Sequence, residues 1–213
     1  MSGELWLIRH GETEWSRSGA HTGRTDIPLT EAGERGAVAL GSRLRGHVFS
    51  LVLASPLQRA AETCRLAGFG GVMQLEPNLL EWNYGDYEGR TTNDIRSDSP
   101  NWDLWRDGVL NGETIEQVAA RGQAVIDQAL EAPGDVALFA HGHILRILTT
   151  CWLNLPPRDA RLFALGTASL SRLGYERDTR VITLWNQSSS YPFAFLISST
   201  SAGTTSKRSP TMP

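Results

Sequence analysis

Three short stretches of the chain carry side chains suited to holding an anion. Arg9 and His10 follow the apolar run Trp6, Leu7, Ile8; Ser55 closes "SLVLAS", with Arg59 one helical turn beyond it; His141 and His143 flank Gly142 directly after "DVALFA". Two guanidinium forks match the tetrahedral oxygens of a phosphate, and an imidazole can donate to it or attack it. Gly11 and Gly142, each directly after a histidine, let the backbone approach a ligand closely. Each residue alone has a plain structural reading, since an Arg-His pair at a strand end can satisfy loop carbonyls or pair with Glu12. Several such groups converging on one place is what that reading leaves unexplained.

Convergence needs one sheet. Glu4 to Arg9, Ser50 to Ser55 and Asp135 to Ala140 read as buried strands by their continuous apolar centres. In an open α/β sheet, ligands collect outside the carboxyl ends of the strands, which is where Arg9, His10, Ser55 and His141 fall. Ser55 and Pro56 are expected to cap and start a helix that ends at Gly68. Thr114 and Gln117 form a capping-box pattern ahead of a helix whose apolar face runs from Ile115 to Ala129 and which ends near Pro133. A further helix is expected over Ile144 to Trp152, stopped by Pro156 and Pro157. Two last strands, Leu170 to Tyr175 and Val181 to Trp185, meet at a polar turn, Arg177 to Thr179. The pattern predicts an α/β fold, a three-layer α/β/α arrangement with a mostly parallel central sheet.

The domain reading is a single domain over residues 1–197 with an insertion at about 81–111, and a disordered tail over 198–213. The insertion is rich in Gly, Asp and Asn and gathers Trp82, Tyr84, Tyr87, Trp102 and Trp105, so it reads as a long irregular segment with a functional purpose. The tail is small and polar with no apolar period. At 213 residues the chain can bury a full core, and 40% hydrophobic with 20% charged residues is ordinary for a globular protein. A formal net charge of -3 gives no nucleic-acid footprint, so anion binding must come from local arginines. No apolar run approaches the roughly 20 residues that span a bilayer. "MSGELW" lacks the features of a signal peptide, and the cytoplasm is the expected compartment. Cys64 and Cys151 lack metal-ligand spacing and sit in apolar periodic stretches, which suits a structural role.

Taken together, "LIRHGETEW", "HTGRTDIPLTEAG", "SPLQRAAET", "LLEWNYGDYEG" and "AHGHILR" resemble the histidine phosphatase superfamily, with its phosphoglycerate mutase-like fold. The likeness extends from about residue 5 to 186, and its motifs keep the family's order. It implies that His10 is the nucleophile that takes the phosphoryl group, that Arg9, Arg59 and His141 clamp its oxygens, and that Glu81 is the general acid. Thr22 and Gly23 fall where the family's loop touches the substrate phosphate, and Ser16 stands where Asn is frequent. Tyr84, Gly142 and His143 complete the expected substrate contacts. No metal or other cofactor is expected: arginines and a donor histidine can stabilise the charge that develops in phosphoryl transfer. Asp86 and Glu88 read as loop acceptors rather than metal ligands.

The resemblance covers phosphatases and mutases alike. Family mutases usually show Glu-Arg-His-Tyr-Gly where this chain has Glu81-Trp82-Asn83-Tyr84-Gly85, and commonly Asn where it has His143. Hydrolysis is therefore expected, with phosphoglycerate mutase as the alternative and a non-catalytic phosphate-binding regulator as the second. "EWNYGDYEG", "WDLWRDGVLNGET" and "FAHGHILR" are similar to the sedoheptulose and fructose bisphosphatases and small bacterial acid phosphatases, which implies a sugar phosphate or bisphosphate substrate. The tryptophans of the insertion would wall the pocket, and Arg106, His143 and Arg146 could meet a distal phosphate. Glu113 is expected to stabilise the helix N-terminus beside Thr114. A small-molecule phosphomonoester is the expected partner, without nucleic acid or membrane, and a homodimer is left open.

Overall fold

A computed structural model describes residues 3–188, so the expected tail over 198–213 lies outside the described residues. Along the chain run β1 (Leu5–Arg9), α1 (Glu14–Ser18), α2 (Glu31–Leu44), β2 (Leu51–Ala54), α3 (Gln58–Cys64), β3 (Met73–Leu75), α4 (Thr92–Asp98), α5 (Leu104–Asp107), α6 (Ile115–Leu130), β4 (Val136–Ala140), α7 (Gly142–Trp152), β5 (Leu170–Glu176) and β6 (Thr179–Gln187). They form one sheet in the order β3-β2-β4-β1-β5-β6. The four strands from β3 to β1 are parallel; β5 and β6 add an antiparallel hairpin to one edge.

Side chains alternate across each strand, which sorts the core into two faces. Leu5 and Leu7 of β1, with Leu138 and Ala140 of β4, pack against α6, α7 and the buried residues of the insertion. Trp6 and Ile8, with Ala137 and Phe139, pack against α2 and the segment around Cys64 and Ala67. The result is the expected three-layer α/β/α arrangement. Each fully buried Leu or Ile contributes roughly 1.5–3 kcal/mol, so strands buried on both faces make a stiff platform. The capping box at Thr114 and Gln117 is formed as the sequence suggests.

Several elements depart from expectation. Helix α3 starts at Gln58, not at Pro56, because Ser55 Oγ is engaged as the acceptor of His141 Nε2–H at 2.7 Å and the Gln58 N–H is accepted by Asp26 at 2.8 Å. Gly68, at φ 96°, interrupts the helical conformation within the π-helical turn Arg65–Phe69 that continues α3. Helix α2 was not singled out, although Thr30 caps it and Ala37, Leu40 and Leu44 mark its buried face. Three glycines within it weaken the helical signal, and Gly33 packs so closely on the β1 loop that a Cβ there would stand 2.1 Å from the Glu12 carbonyl. The edge strand β3 is three residues long and mostly exposed. The insertion is not irregular throughout: α4, α5 and a 3-10 turn at Gly85–Tyr87 fold it, and Trp82, Tyr84, Tyr87 and Trp102 are buried in the core.

The parallel strands end level with one another. Arg9 is in register with Ala140 and Ala54 with Phe139. The His10 N–H donates to the Ala140 carbonyl at 2.9 Å, and the Ser55 N–H to the Phe139 carbonyl at 2.9 Å.

Candidate active site

At this level edge lies a cavity of about 280 Å³ lined by Arg9, His10, Ser16, Gly19 to Thr22, Glu81, Tyr84, Thr92, Gly142, His143, Arg146 and Leu165. His10 occupies its floor. The backbone carbonyl of Gly11 stands 2.7 Å from His10 Nδ1, so that nitrogen carries the proton and Nε2 keeps its lone pair. Burial, then the charges of Arg9 and Arg59, hold the imidazole well below the ordinary histidine pKa. A neutral ring with a fixed tautomer is the form a nucleophile needs.

Gly11 is itself fixed. Its N–H donates to Thr63 Oγ1 at 3.0 Å, and that hydroxyl donates to the Arg59 carbonyl at 2.7 Å. A Cβ on Gly11 would meet the Gly33 carbonyl oxygen at 2.4 Å, so close packing of the loop on α2 requires glycine there.

The expected clamp divides into two rows. Arg9 lines the cavity, donates from Nη1 to the Leu165 carbonyl at 2.5 Å, and has no partner for Nε among the described residues. Gly142 stands against it: a Cβ there would lie 3.3 Å from Arg9 Cζ. Arg59 and His141 are wholly buried and do not line the cavity. Arg59 donates to the carbonyls of Thr22, Gly23 and Thr25 at 2.9–3.1 Å, and from Nε to His141 Nδ1 at 3.1 Å. His141 therefore accepts at Nδ1 and donates from Nε2 to Ser55 Oγ. Burial, then Arg59, His10 and Arg9, keep it neutral, with a pKa well below the ordinary value.

Glu81 lies in the cavity as an acceptor. Oε1 takes the N–H groups of Trp82 and Ile144 and Oε2 that of His143, each at 2.9 Å. His141, at the N-cap of α7, supplies no side-chain cap, and the carboxylate of Glu81 fills that role. The loop that carries Glu81 is pinned from below. Arg121 of α6 donates to the Asn78 and Leu80 carbonyls at 2.7 Å and pairs through two nitrogens with Glu113 at 2.8 and 2.9 Å. Glu113 also accepts the Asn83 N–H at 2.9 Å and pairs with Arg24 at 3.2 Å. Burial raises its pKa, but Arg121, the Asn83 N–H and Arg24 outweigh that and hold it below the usual value. Glu113 is thus a latch for the acid-bearing loop rather than a partner of the helix N–H groups.

Tyr84, His143, His21, Thr92 and Arg146 also line the cavity. The Tyr84 hydroxyl donates to His143 Nδ1, which leaves the remaining imidazole proton on Nε2. Burial, then Glu81, raises Tyr84 well above the ordinary phenol value, and burial with Arg146, His21 and Arg9 keeps His143 neutral. His21, first residue of the His21-Thr22-Gly23 run, has no local pattern that marks it; its surroundings, Thr92, Tyr84 and Trp102, come from the distant insertion. Ser16 and Thr22 line the cavity, but the Ser16 hydroxyl is spent on the capping box of α1. Gly23 turns away, giving its N–H to Glu88. Of the insertion's aromatics only Tyr84 lines the cavity; Trp82 and Trp105 stand behind that lining, against His143 and, for Trp105, Arg146. Arg106 is exposed and paired with Asp107.

Glu88 and Asp86 serve as loop acceptors, for Gly23, Thr25 and Asn111. Among the described residues no three His, Cys, Asp or Glu side chains gather as a metal-holding group, and no helix is long and apolar enough to cross a membrane. Cys64 is buried and its thiol is pushed up to about 12.

Residues 5–188 match the family model described as the histidine phosphatase superfamily, branch 1. An acid phosphatase of Mycobacterium tuberculosis is 39% identical over 185 residues, covering 84% of this chain and 90% of its own. Sedoheptulose 1,7-bisphosphatase of Saccharomyces cerevisiae is 35% identical, covering 70% and 67%. A probable phosphoglycerate mutase of Yersinia enterocolitica is 32% identical, covering 85% and 89%. The solved structure of a Mycobacterium tuberculosis open reading frame product superposes with a TM-score of 0.83 at 35% identity, over 88% of this chain and 99% of that one.

Proposed function

The chain belongs to the histidine phosphatase superfamily, and on that premise we propose that it hydrolyses phosphomonoesters of small sugars, including bisphosphates, through a phosphohistidine on His10. The observation that carries this reading is the Gly11 carbonyl at His10 Nδ1, which leaves Nε2 free for attack inside a cavity lined by Arg9.

In the first step Nε2 of His10 attacks phosphorus, the bond to the ester oxygen breaks, and the departing oxygen takes a proton from Glu81 as general acid. In the second step water attacks the phosphohistidine, Glu81 takes the water's proton, the P–N bond breaks, and inorganic phosphate leaves. Arg9 meets the phosphoryl oxygens directly. Arg59 and His141 add positive potential and donors from beneath, and Arg59 holds the Thr22 to Thr25 loop against the cavity. Gly142 allows Arg9 its place, while Ser16, Thr22, Tyr84 and His143 face the remainder of the substrate. No step calls for a metal.

The phosphatase names of two relatives favour hydrolysis, and so does Trp82-Asn83 in place of the mutase pair. The third relative's name keeps a mutase as the second reading. The cytoplasm is the compartment proposed, and a homodimer is a state that sedimentation would decide. The test is phosphate release without added metal from sugar phosphates, sugar bisphosphates, phosphoglycerates and a phosphotyrosine peptide, for the wild type and His10→Ala. Selective release lost with His10 supports the proposal. Conversion of 3-phosphoglycerate to its 2-isomer without release would establish the mutase, and silence on both would favour a binding module.

A further inference from the structure

Among the described residues the Arg9 guanidinium makes one hydrogen bond, from Nη1 to the Leu165 carbonyl at 2.5 Å, and its Nε is buried without a partner. The direction of the fork therefore depends on a main-chain group of the loop that leads into β5. That carbonyl shares a peptide group with the Gly166 N–H, which donates to Asn186 Oδ1 of β6 at 2.7 Å. A trans peptide group is planar, with its C=O and N–H pointing in opposite directions. Arg9 on one side and Asn186 on the other thus hold the same plane, and each bond polarises the other.

The rest of the loop is tied in the same two directions. Trp185, next to Asn186 on β6, donates from Nε1 to the Ala164 carbonyl at 2.6 Å, and Ser169 Oγ closes the loop on the Gly166 carbonyl at 2.7 Å. Inward, the Ala168 N–H donates to the His10 carbonyl at 2.9 Å and the Arg9 N–H to the Ser169 carbonyl at 3.2 Å. Residues 164–169 form a strap between the edge strand and the Arg9-His10 pair. Ala164 and Gly166 are exposed, so water can replace the bonds they make to β6 and these add little to global stability. What they set is direction.

Asn186 reaches the strap through an irregularity in its own strand. Leu170 pairs with Gln187 and Arg172 with Leu184, so three steps along β6 face two along β5. Asn186 takes up the extra residue at φ 53°, with its N–H on Ser171 Oγ at 2.9 Å. Asparagine tolerates the left-handed region better than most residues, and a bulge re-aims the side chains of the strand it bends. Here it aims an amide oxygen at Gly166. The Asn186 side-chain nitrogen donates to nothing among the described residues, so the acceptor is the part in use.

We propose that Asn186 is a positioning residue of the phosphoryl site, which fixes the Arg9 guanidinium through the peptide joining Leu165 to Gly166. This rests on the reading in which Arg9 meets the transferred phosphoryl group. A guanidinium grips phosphate with a planar fork, so its direction decides how many oxygens it reaches.

Two variants separate the acceptor from the backbone. Asn186→Gly keeps access to positive φ and loses the acceptor, whereas Asn186→Asp keeps an acceptor in the same place. Both are compared with the wild type in calorimetric binding of inorganic phosphate, in urea unfolding, and in kcat/KM on the ester of the panel above that the wild type hydrolyses fastest. The expected result for Asn186→Gly is a loss of about 10- to 100-fold in kcat/KM and weaker phosphate binding, with Asn186→Asp close to the wild type in both. In an Arg9→Gln background Asn186→Gly should add little, because the two substitutions remove one interaction. Unchanged phosphate affinity and kcat/KM in Asn186→Gly would overturn the proposal, whatever happens to the urea midpoint. An equal loss in Asn186→Asp would overturn it too, since the acceptor would then be irrelevant, as would a full additional loss on top of Arg9→Gln. If the wild type binds phosphate but releases none from any ester, hydrolysis is the reading that fails, and the binding series still decides the role of Asn186. A wild type that binds no phosphate would remove the role of Arg9 and this proposal with it.

Discussion

Glu81 Oε1 accepts the backbone N–H of Ile144 at 2.9 Å, across 63 positions of sequence, so the proposed general acid is also the cap of the helix that carries His143 and Arg146. Acid position and cavity wall are thereby one structural unit. Substitutions at Glu81 should separate two effects. Glu81→Gln keeps one acceptor oxygen but turns its NH₂ toward an N–H the carboxylate had accepted, so it should cost up to about 1 kcal/mol of stability while removing proton transfer, a loss of about 10²- to 10⁴-fold in kcat. Glu81→Ala should lose the same activity and about 1–2 kcal/mol besides. Denaturant unfolding alongside single-turnover kinetics checks both, and equal stability for the two variants would remove the capping role.

The Glu113–Arg121 pair makes a second prediction. Both side chains are largely buried, and together they hold Asn78, Leu80 and Asn83 around Glu81. Glu113→Gln should destabilise by about 3 kcal/mol, because it leaves a buried guanidinium without its partner. It should also lower kcat more than it raises KM, since the acid loses its position and not the substrate its anchors. A pure KM effect would contradict a latch role.

These two roles show what the sequence could and could not disclose. The ends of β1, β2 and β4 were legible because a continuous apolar run that stops at Arg9, Ser55 or His141 states its own strand and its own terminus. Local caps such as Thr114 with Gln117 were legible for the same reason. Caps supplied from afar were not: Asp26 starts α3 and Glu81 starts α7, and no local pattern marks either. The latch role of Glu113 has no local signature, because its partner Arg121 and the loop it holds meet it only in the fold. His21 carries no local mark because its neighbours arrive from the insertion, and α2 little because its glycines, which allow close packing, blur the helical period.

Thr63 reaches the proposed nucleophile, His10, through Gly11, which on this account makes it a positioning residue. Thr63→Val keeps the shape and removes the hydroxyl that accepts the Gly11 N–H. The account predicts a loss of about 1–3 kcal/mol in stability from the unpaired N–H, together with an altered acid limb in the kcat/KM profile. A stability change with an unmoved pH profile would limit Thr63 to a structural role.

Stability should fall in mild acid. His10, His141 and His143 have folded pKa values well below the ordinary value, chiefly through burial. In the unfolded chain each takes a proton below about pH 6.5, so their stabilising effect is complete above that pH and is lost as pH falls towards the folded values. Each contributes a slope of about 1.4 kcal/mol per pH unit in that window. Urea midpoints between pH 7.5 and 5 read this, and a flat profile would mean that the imidazoles are not held neutral.

The most direct test of the central claim is to look for the phosphoryl group on His10. Rapid mixing with a ³²P-labelled sugar phosphate, an alkaline quench and peptide mapping would show label that resists base and is released by acid. The account predicts that label on the peptide holding His10 within a single turnover, and none in His10→Ala. Phosphate release at full rate with no label on that peptide would contradict it.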